Sequence, residues 1–279
     1  MGTPPVLLFL GAGKKLGTQV PAVFAEAGYK IAVVARTWKE EFESLGYYQV
    51  QADFNNPECI PEVFAKVKEN VGIPTVVVYN GGLFRAPYSF SVCYRASSNW
   101  KILFTLAVQY TLDDPDDPFA SLAPENVSRM LSTVAVNGTS SLVAIHHAIE
   151  SFRSLPPDTP GKAFIFTGNI LNHSQFKNRL CFGTGKTVAA YGVRYASVAY
   201  AKEGFKFYYA DERSEEGLPV MRDIDGTVAG KEYLKIAEAT EHLPWLYTYT
   251  KDNGYKDFGE KDYLKTVDSD EPHFIKGGR

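Results

Sequence analysis

The sequence predicts an α/β protein with a single doubly wound parallel sheet of about seven strands. Two observations support this prediction. Apolar runs of strand length alternate with amphipathic stretches of helix length, which favours a parallel sheet covered by helices on both faces. The first apolar run also ends in a glycine-rich turn, as it does at the start of nucleotide-binding α/β units.

The expected strands are short and follow one another along the whole chain. They cover residues 6–10, 30–35, 48–52, 75–79, 163–167, 205–209 and 245–249. The expected helices cover residues 18–25, 57–70, about 125–153, about 184–202 and about 229–241. This order places a helix between most pairs of successive strands, as a parallel sheet requires.

Residues 1–250 are expected to form one domain, with an insertion at about 84–124 and a surface arm or disordered tail at 251–279. The insertion includes an apolar, helix-like patch at 100–108. It is interpreted either as a lid over a substrate or as a poorly packed insertion or gene-model artefact. In the lid interpretation, the side chains facing the cleft are Tyr94, Trp100 and Phe104.

Composition excludes several classes of protein. The 279 residues have a formal net charge of −3 and include no apolar run long enough to span a membrane. The first apolar run ends at Leu10 without the flanking features of a signal peptide. Cys59, Cys93 and Cys181 are odd in number and widely spaced, which is typical of reduced thiols. We therefore expect a cytoplasmic protein with a small-molecule substrate and without a nucleic-acid or membrane partner.

The turn after the first strand predicts a dinucleotide site. Gly11 allows the tight turn, Gly17 lets the backbone approach a pyrophosphate, and the next helix directs unpaired N–H groups and the positive end of its dipole at the phosphates. Gly13 and Lys14 lie within the turn. Lys15 stands where a glycine is usual, so its side chain must turn outward.

The order and spacing of several landmarks resemble the short-chain dehydrogenase/reductase family over roughly residues 5–250. Asp53 and Phe54 follow the third strand as the family's adenine-holding pair does, and Asn80-Gly81-Gly82 resembles its Asn-Ala-Gly element. The resemblance implies a Rossmann fold that binds a dinucleotide. The residues assigned to the cofactor are Gly11, Gly13, Lys14, Leu16, Gly17, Arg36, Asp53, Phe54, Asn80, Gly81 and Lys186.

The end of the second strand indicates which cofactor is bound. An NAD site usually has Asp or Glu there to accept hydrogen bonds from the ribose 2′-hydroxyl, whereas an NADP site needs positive charge for the 2′-phosphate. Here Ala35 is followed by Arg36, and Lys14 adds a second cation. The sequence therefore predicts NADP(H), unless both cations are ordinary solvated surface charges.

The resemblance also implies catalytic residues, and this chain departs from the family pattern at two of them. Lys186 and Asn137 match the family's Lys and Asn, but Phe182 stands at the Tyr position and Asn169 at the Ser position. Lys186 shares a helix face with Phe182, four residues earlier. Loss of a positioned acid typically lowers a rate by about 10²–10⁴-fold. Segments 166–172, 183–186 and 209–213 resemble those of an atypical fungal-type subgroup of the family, which lacks the catalytic Tyr.

Three functions remain open. The favoured one is an NADP(H)-dependent oxidoreductase acting on a small, apolar carbonyl or imine. The substrate is then already activated, as an iminium is, or a water held by Asn169, Lys186 and Asn137 supplies the proton. The alternatives are an NADP(H)-binding non-redox enzyme, such as a cyclase or isomerase, and a catalytically silent dinucleotide-binding protein. Aromatic residues near strand ends suggest an apolar pocket but are more often core: Tyr79, Phe84, Phe176, Phe182 and Tyr209.

Two further motifs do not fit their usual context. Gly185-Lys186-Thr187 resembles the end of a P-loop, but Leu180 stands where that motif needs a glycine. His146 and His147 are adjacent on a helix and point about 100° apart, which is wrong for a shared metal. We therefore predict no metal site. Members of the family often form dimers or tetramers through the two long helices, so a homodimer or homotetramer is expected.

Overall fold

The computed structural model describes residues 3–81, 90–96, 99–106, 119, 124, 127–174, 176, 179–220 and 223–259. The strands of this part of the chain are β1 (Val6–Leu10), β2 (Lys30–Ala35), β3 (Tyr48–Gln51), β4 (Val76–Tyr79), β5 (Phe90–Ala96), β6 (Asn99–Leu106), β7 (Ala163–Thr167), β8 (Lys206–Arg213), β9 (Leu246–Thr250) and β10 (Gly254–Tyr255). The α-helices are α1 (Leu16–Glu26), α2 (Glu40–Ser44), α3 (Cys59–Asn70), α4 (Val127–Val134), α5 (Ser140–Arg153), α6 (Leu180–Ala199) and α7 (Gly226–Glu238).

Eight strands form one sheet in the order β10-β9-β8-β7-β4-β1-β2-β3. All neighbours in it run parallel except β9 and β10. The chain begins in the middle of the sheet at β1, adds β2 and β3 on one side, and then adds β4, β7, β8 and β9 on the other. This arrangement confirms the predicted doubly wound parallel sheet, and the antiparallel β10 extends one edge beyond residue 250.

Helices cover both faces of the sheet. On one face, α3, α5 and α6 pack against strand residues such as Leu8, Leu10 and Phe166. On the other face, α1, α2 and α7 pack against residues such as Leu7 and Phe9. Successive residues of a strand thus enter two different buried layers, which is why the strands read as continuous apolar runs rather than as alternating ones.

The long helix predicted at about 125–153 is interrupted in the structure. α4 continues into a π-helical turn at Ala135–Thr139, after which α5 begins. π-Helical turns are rare and often occur at functional sites, and Asn137 lies in the middle of this one. No helix in the described part of the chain is both long and apolar enough to cross a membrane.

The apolar patch at 100–108 does not form the helix-like element that we predicted. Residues 99–106 are instead strand β6, which pairs antiparallel with β5. The physical reason is a period of two, since Trp100, Ile102, Phe104 and Leu106 alternate along the strand. The side chains of both strands lie outside the described residues, so the proposed lid remains a prediction. Most of the tail, 260–279, also lies outside them.

Candidate active site

A cleft of about 500 Å³ opens at the carboxyl ends of the central strands β1, β2 and β4. This edge, where the strand order reverses, is where doubly wound sheets bind ligands. Eight of the predicted cofactor residues line the cleft, namely Gly11, Gly13, Lys14, Arg36, Asp53, Phe54, Asn80 and Gly81. The other three, Leu16, Gly17 and Lys186, are buried and are not among its lining residues.

The glycine turn is fixed by contacts with the neighbouring strands. The backbone N–H groups of Gly11 and Ala12 both donate to the carbonyl of Val34, at 3.0 and 2.8 Å. Gly11 has φ +94°, and a Cβ there would lie 2.8 Å from the carbonyl of Asn80. The Asn80 side chain in turn donates to the Gly11 carbonyl at 2.8 Å. Gly11 is therefore required by both conformation and space.

Gly17 is required for packing within the fold. A Cβ at Gly17 would lie 2.4 Å from the backbone of Ala12, so this glycine lets α1 pack closely against the turn. Its predicted role toward a pyrophosphate stays a prediction. Lys15 is exposed, as its position in the turn requires.

The cleft has a positively charged rim that includes one residue missed in the sequence. Lys14 and Arg36 are exposed, as expected of rim residues. The third cation is Lys39, a half-buried residue whose Nζ donates to the Ala12 carbonyl at 2.7 Å. Its signal was present in the sequence, because Lys39 follows the end of β2 by only four residues.

Phe54 lines the cleft beside Asp53, and its side chain also belongs to the core. Its ring is buried and begins a row of stacked aromatic rings that crosses the sheet. Successive ring centroids are 5.5 Å apart from Phe54 to Tyr79, 5.6 Å from Tyr79 to Phe166 and 5.3 Å from Phe166 to Tyr209. We call these four residues the aromatic row. Tyr79 and Tyr209 are thus core residues.

Each tyrosine of the aromatic row packs against a glycine and donates a hydrogen bond to the backbone of a neighbouring segment. A Cβ at Gly81 would lie 2.5 Å from the ring of Tyr79, and a Cβ at Gly168 would lie 2.2 Å from that of Tyr209. The Tyr79 hydroxyl donates to the carbonyl of Val136 at 2.6 Å. The Tyr209 hydroxyl donates to the Asn169 carbonyl at 2.8 Å. The row therefore positions the segments that contain Asn137 and Asn169.

Asn137 is completely buried where the π-helical turn packs against α6. Its Nδ2 donates to the carbonyl of Thr133 at 2.9 Å, whereas its Oδ1 has no hydrogen-bond partner among the described residues. A Cβ at Gly185 would lie 2.6 Å from the Asn137 Cβ, so the glycine allows α6 to approach. An unpaired buried amide oxygen is costly, which suits a group that accepts a water or ligand hydrogen bond.

The buried side chain of Lys186 extends from α6 to the carboxyl end of β7, beside Phe166 of the aromatic row. Its Nζ donates to the carbonyl of Thr167 at 3.0 Å and lies 4.6 Å from the ring centroid of Phe166. It lies 5.4 Å from the ring of Phe182, as the four-residue spacing predicts. Burial lowers the pKa of Lys186 to about 8, and the charge of Asp211 partly opposes this shift.

Asn169 uses its side chain within its own loop. The side-chain Oδ1 accepts a hydrogen bond from the backbone N–H of Leu171 at 3.1 Å and so caps the short 3₁₀ helix Ile170–Asn172. Asn169 is half-buried near the end of β7, two residues beyond Thr167. Its oxygen therefore has a structural task that the prediction of a catalytic role did not include.

Sequence reasoning missed the buried charges at the end of β8. Asp211 and Arg213 are both almost fully buried and form an ion pair, with Nη2 2.5 Å from the carboxylate. Arg213 also donates to the Gly217 carbonyl at 3.0 Å. Burial raises the pKa of Asp211, while the positive charges of Arg213 and Lys186 act against that shift. The signal was a run of charged residues, 211–213, at the end of an otherwise apolar strand.

Adjacent histidines on α5 come closer than we predicted. His147 Nδ1 lies 2.8 Å from Glu150, and His146 Nε2 lies 3.5 Å from the same carboxylate. The potential ligand atoms of all three lie within 4.8 Å of one another, so the 100° between the two histidines on the helix does not by itself exclude a shared metal, although we had argued that it does. The contacts that both rings make with the Glu150 carboxylate account for their closeness.

A second cavity, of about 580 Å³, lies beside the first turns of α6. Phe176, Leu180 and Val188 contribute apolar surface to it, and Ser174 and Thr184 contribute hydroxyl groups. Neither Lys186 nor Phe182 is among its described lining residues. Of the aromatic residues suggested for a substrate pocket, Phe176 thus lies at a cavity, whereas Phe84 lies outside the described residues.

No known family profile matches the chain. The chain is 34% identical over 254 residues to the short chain dehydrogenase/reductase dmxR12 of Cryptosporiopsis sp. (strain 8999), covering 91% of this chain and 95% of that protein.

Solved structures show the same fold at much lower identity. A metagenomic short-chain oxidoreductase in complex with NADP superposes with a TM-score of 0.64 at 12% identity, covering 88% of this chain and 96% of that one. A 3-oxoacyl-[acyl-carrier protein] reductase from Brucella melitensis in complex with NAD gives 0.63 at 14% identity, covering 86% and 92%. With the order of the strands and the glycine turn, the near-complete match at 34% identity leads to one conclusion: the chain belongs to the short-chain dehydrogenase/reductase family of oxidoreductases.

Proposed function

We propose that this protein is an NADP(H)-dependent oxidoreductase that acts on a small, apolar carbonyl or imine substrate. The main supporting observation is the cationic rim of the cleft, where Lys14 and Arg36 lie and no carboxylate follows β2 directly. A 2′-phosphate is stabilised by such charges, whereas an unphosphorylated ribose needs an acceptor there. Related folds bind NADP in one case and NAD in another, so the choice rests on these residues.

The residues of the cleft fit a dinucleotide. Gly11 and Gly17 allow the turn to pack tightly, and the turn leads directly into α1, whose first N–H groups can bind phosphate. Asn137 contributes a buried oxygen without a partner among the described residues. When bound, NADPH supplies a hydride. The chain's own residues bind the cofactor and orient the substrate. For a carbonyl they must also hold the proton that the oxygen takes up, whereas hydride addition to an iminium gives the neutral amine without a proton.

We assign two tasks to Lys186. It binds the nicotinamide ribose of the cofactor, and it holds the proton that a carbonyl substrate needs. It is buried, and its pKa of about 8 keeps proton exchange accessible near neutral pH. Phe182, one helical turn earlier, has no hydroxyl to donate. We therefore favour substrates that need no side-chain acid, such as an iminium, or a proton supplied by a water bound to Asn137, Asn169 and Lys186.

The test compares the parent with Phe182→Tyr, which adds a hydroxyl beside Lys186 in a position that already holds an aromatic ring. NADPH absorbance is followed with a panel of carbonyl and cyclic-imine substrates, and products are identified by mass. We expect the parent to consume NADPH with imines and the variant to gain carbonyl reduction. Product formed at constant NADPH would instead indicate a non-redox enzyme, and binding without turnover of any substrate would indicate a silent binding protein.

We also propose that the protein forms a homodimer or homotetramer through α5 and α6. Tyr191, Tyr195 and Val198 on α6 are 66–76% exposed, and Leu142 on α5 is 38% exposed. Such apolar exposure on neighbouring helices favours association. Sedimentation of the parent and of Tyr195→Glu tests this proposal, since the variant should dissociate.

The expected cytoplasmic location likewise remains a proposal. It rests on the three cysteines, of which Cys59 and Cys181 form no disulfide within the described part of the chain. The extent of the domain, residues 1–250 with the insertion, is also proposed, and β10 adds a strand to its sheet beyond residue 250. Fractionation of cells expressing a tagged chain tests the first, and limited proteolysis with mass analysis tests the second.

A further inference from the structure

We propose that Lys39 is a third cation of the cofactor cleft and a determinant of selectivity for a 2′-phosphorylated adenosine. This inference rests on the proposed NADP(H) function and adds a residue to it. Lys39 comes directly before α2 and lines the same cleft as Lys14 and Arg36.

The backbone of Lys39 is held in place by β3. Its N–H donates to Oε1 of Gln49 at 3.1 Å, and Nε2 of Gln49 donates to the Lys39 carbonyl at 2.9 Å. One side chain thus binds both backbone groups of the residue. This double contact fixes the start of the Lys39 side chain relative to the sheet, which reduces the entropy lost when the ammonium group binds a ligand.

The side chain of Lys39 extends from α2 across to the glycine turn. Its Nζ donates to the Ala12 carbonyl at 2.7 Å and lies 5.0 Å from the ring centroid of Phe42. Both ends of this contact, Lys39 and Ala12, line the cleft. The ammonium group is therefore already at the cleft surface, between the turn and the end of β2.

The chemistry of this contact favours an anionic ligand. The Ala12 carbonyl is a neutral acceptor, whereas a phosphate dianion adds the attraction of two opposite charges to the hydrogen bond from the ammonium group. Lys39 is half-buried, whereas Lys14 and Arg36 are exposed. Because water screens a half-buried charge less, Lys39 should contribute at least as much selectivity as either exposed cation.

The experiment separates the charge of Lys39 from its contact with the turn. Lys39→Gln keeps a hydrogen-bond donor and removes the charge, and Lys39→Arg keeps the charge. Binding of NADPH, NADH, adenosine 2′,5′-bisphosphate and 5′-AMP is measured by calorimetry at two salt concentrations. The matched control is Lys30→Gln, an exposed lysine at the opposite end of β2.

We expect Lys39→Gln to weaken NADPH and the bisphosphate by about 10-fold and to leave NADH and 5′-AMP unchanged. Its affinity for the bisphosphate should also depend less on salt than the parent's does. Lys39→Arg should retain most of the selectivity, and Lys30→Gln should match the parent in all four ligands.

Failure of this inference differs from failure of the proposed function. A parent that binds NADPH and NADH equally overturns the NADP(H) assignment itself. A selective parent whose preference survives Lys39→Gln overturns the role of Lys39 alone. Equal weakening of all four ligands overturns it as well, because Lys39 would then only shape the glycine turn. Thermal melts of each variant verify that the fold is intact.

Discussion

The two halves of the candidate site lie along one edge of the sheet but differ in the kinds of residues that form them. At the ends of β1, β2 and β4, the cleft is bounded mainly by backbone, glycines and exposed charges. At the ends of β7 and β8, Lys186, Asp211 and Arg213 are buried beside stacked aromatic rings. A backbone turn tolerates change in its exposed side chains, whereas a buried charge depends on every partner that faces it.

The largest expected effect comes from breaking the buried ion pair. Asp211→Asn leaves the Arg213 guanidinium without its carboxylate, and Arg213 is almost fully buried. Loss of one partner of a buried pair costs about 3–5 kcal/mol. Urea denaturation measures the free energy of unfolding. The control is Glu203→Gln, which breaks the exposed pair with Arg153 and should hardly move the midpoint. Equal effects would refute the contrast between the two kinds of charge.

The second prediction concerns the pH dependence caused by Lys186. Its pKa is about 8 in the folded protein, below its ordinary value of 10.5. The unfolded chain therefore binds more protons between these values, so the free energy of unfolding should rise as pH increases above 8. The contribution of this shift is about 3 kcal/mol when integrated over that range.

Lys186→Met should accordingly be more stable than the parent below pH 8 and should show a flatter pH dependence. Lys206, whose pKa burial also lowers to about 8, leaves a residual slope. The measurement should stay below pH 10. At higher pH the tyrosines of the unfolded chain ionise, whereas Tyr209 in the folded protein does not, because burial raises its pKa. Lys30→Met, an exposed control, should keep the parent's slope. A Lys186→Met variant with the same slope would contradict the prediction.

The third prediction compares a glycine from each half of the site. Gly168→Ala places a Cβ 2.2 Å from the ring of Tyr209, so overpacking should cost about 1–3 kcal/mol. A Cβ at Gly13 meets no protein atom within 4 Å, so Gly13→Ala should leave stability unchanged. Because Gly13 lines the cleft, the same substitution should weaken NADPH binding. Thermal melts measure the stability of both variants, and cofactor titration measures their NADPH binding. A loss of stability in Gly13→Ala with none in Gly168→Ala would contradict the prediction.

The fold could be predicted from the sequence because its signals are local. Most of the seven parallel strands are short apolar runs, and the glycine turn directly follows the first. The patch at 100–108 was misread since overall apolar content was weighed above its period of two. Local signals also placed eight of the eleven predicted cofactor residues at one cleft, while their binding of a cofactor stays a prediction.

The missed parts of the site depend on contacts between distant residues. Lys39 reaches Ala12 from 27 residues away, and Tyr209 reaches Asn169 from 40 residues away. Asp211 and Arg213 stood in a recognised segment, but only the fold shows that their charges are buried together. No periodicity records such pairs, because periodicity reports which face a residue occupies and not which residue lies opposite.

The smallest expected effect tests whether the aromatic row positions the two loops separately. Tyr209→Phe removes the hydroxyl that bonds Asn169, and Tyr79→Phe removes the one that bonds Val136. Each should cost about 1 kcal/mol of stability, the usual value for one buried hydrogen bond. Amide hydrogen exchange should then accelerate at 168–172 in the first variant and at 135–139 in the second, since each hydroxyl fixes only its own loop. Tyr195→Phe, an exposed control, should change neither segment. If hydrogen exchange accelerated at both segments in both variants, the aromatic row would act as one rigid unit. The cofactor side and the Lys186 side of the site would then differ in composition but not in their motions.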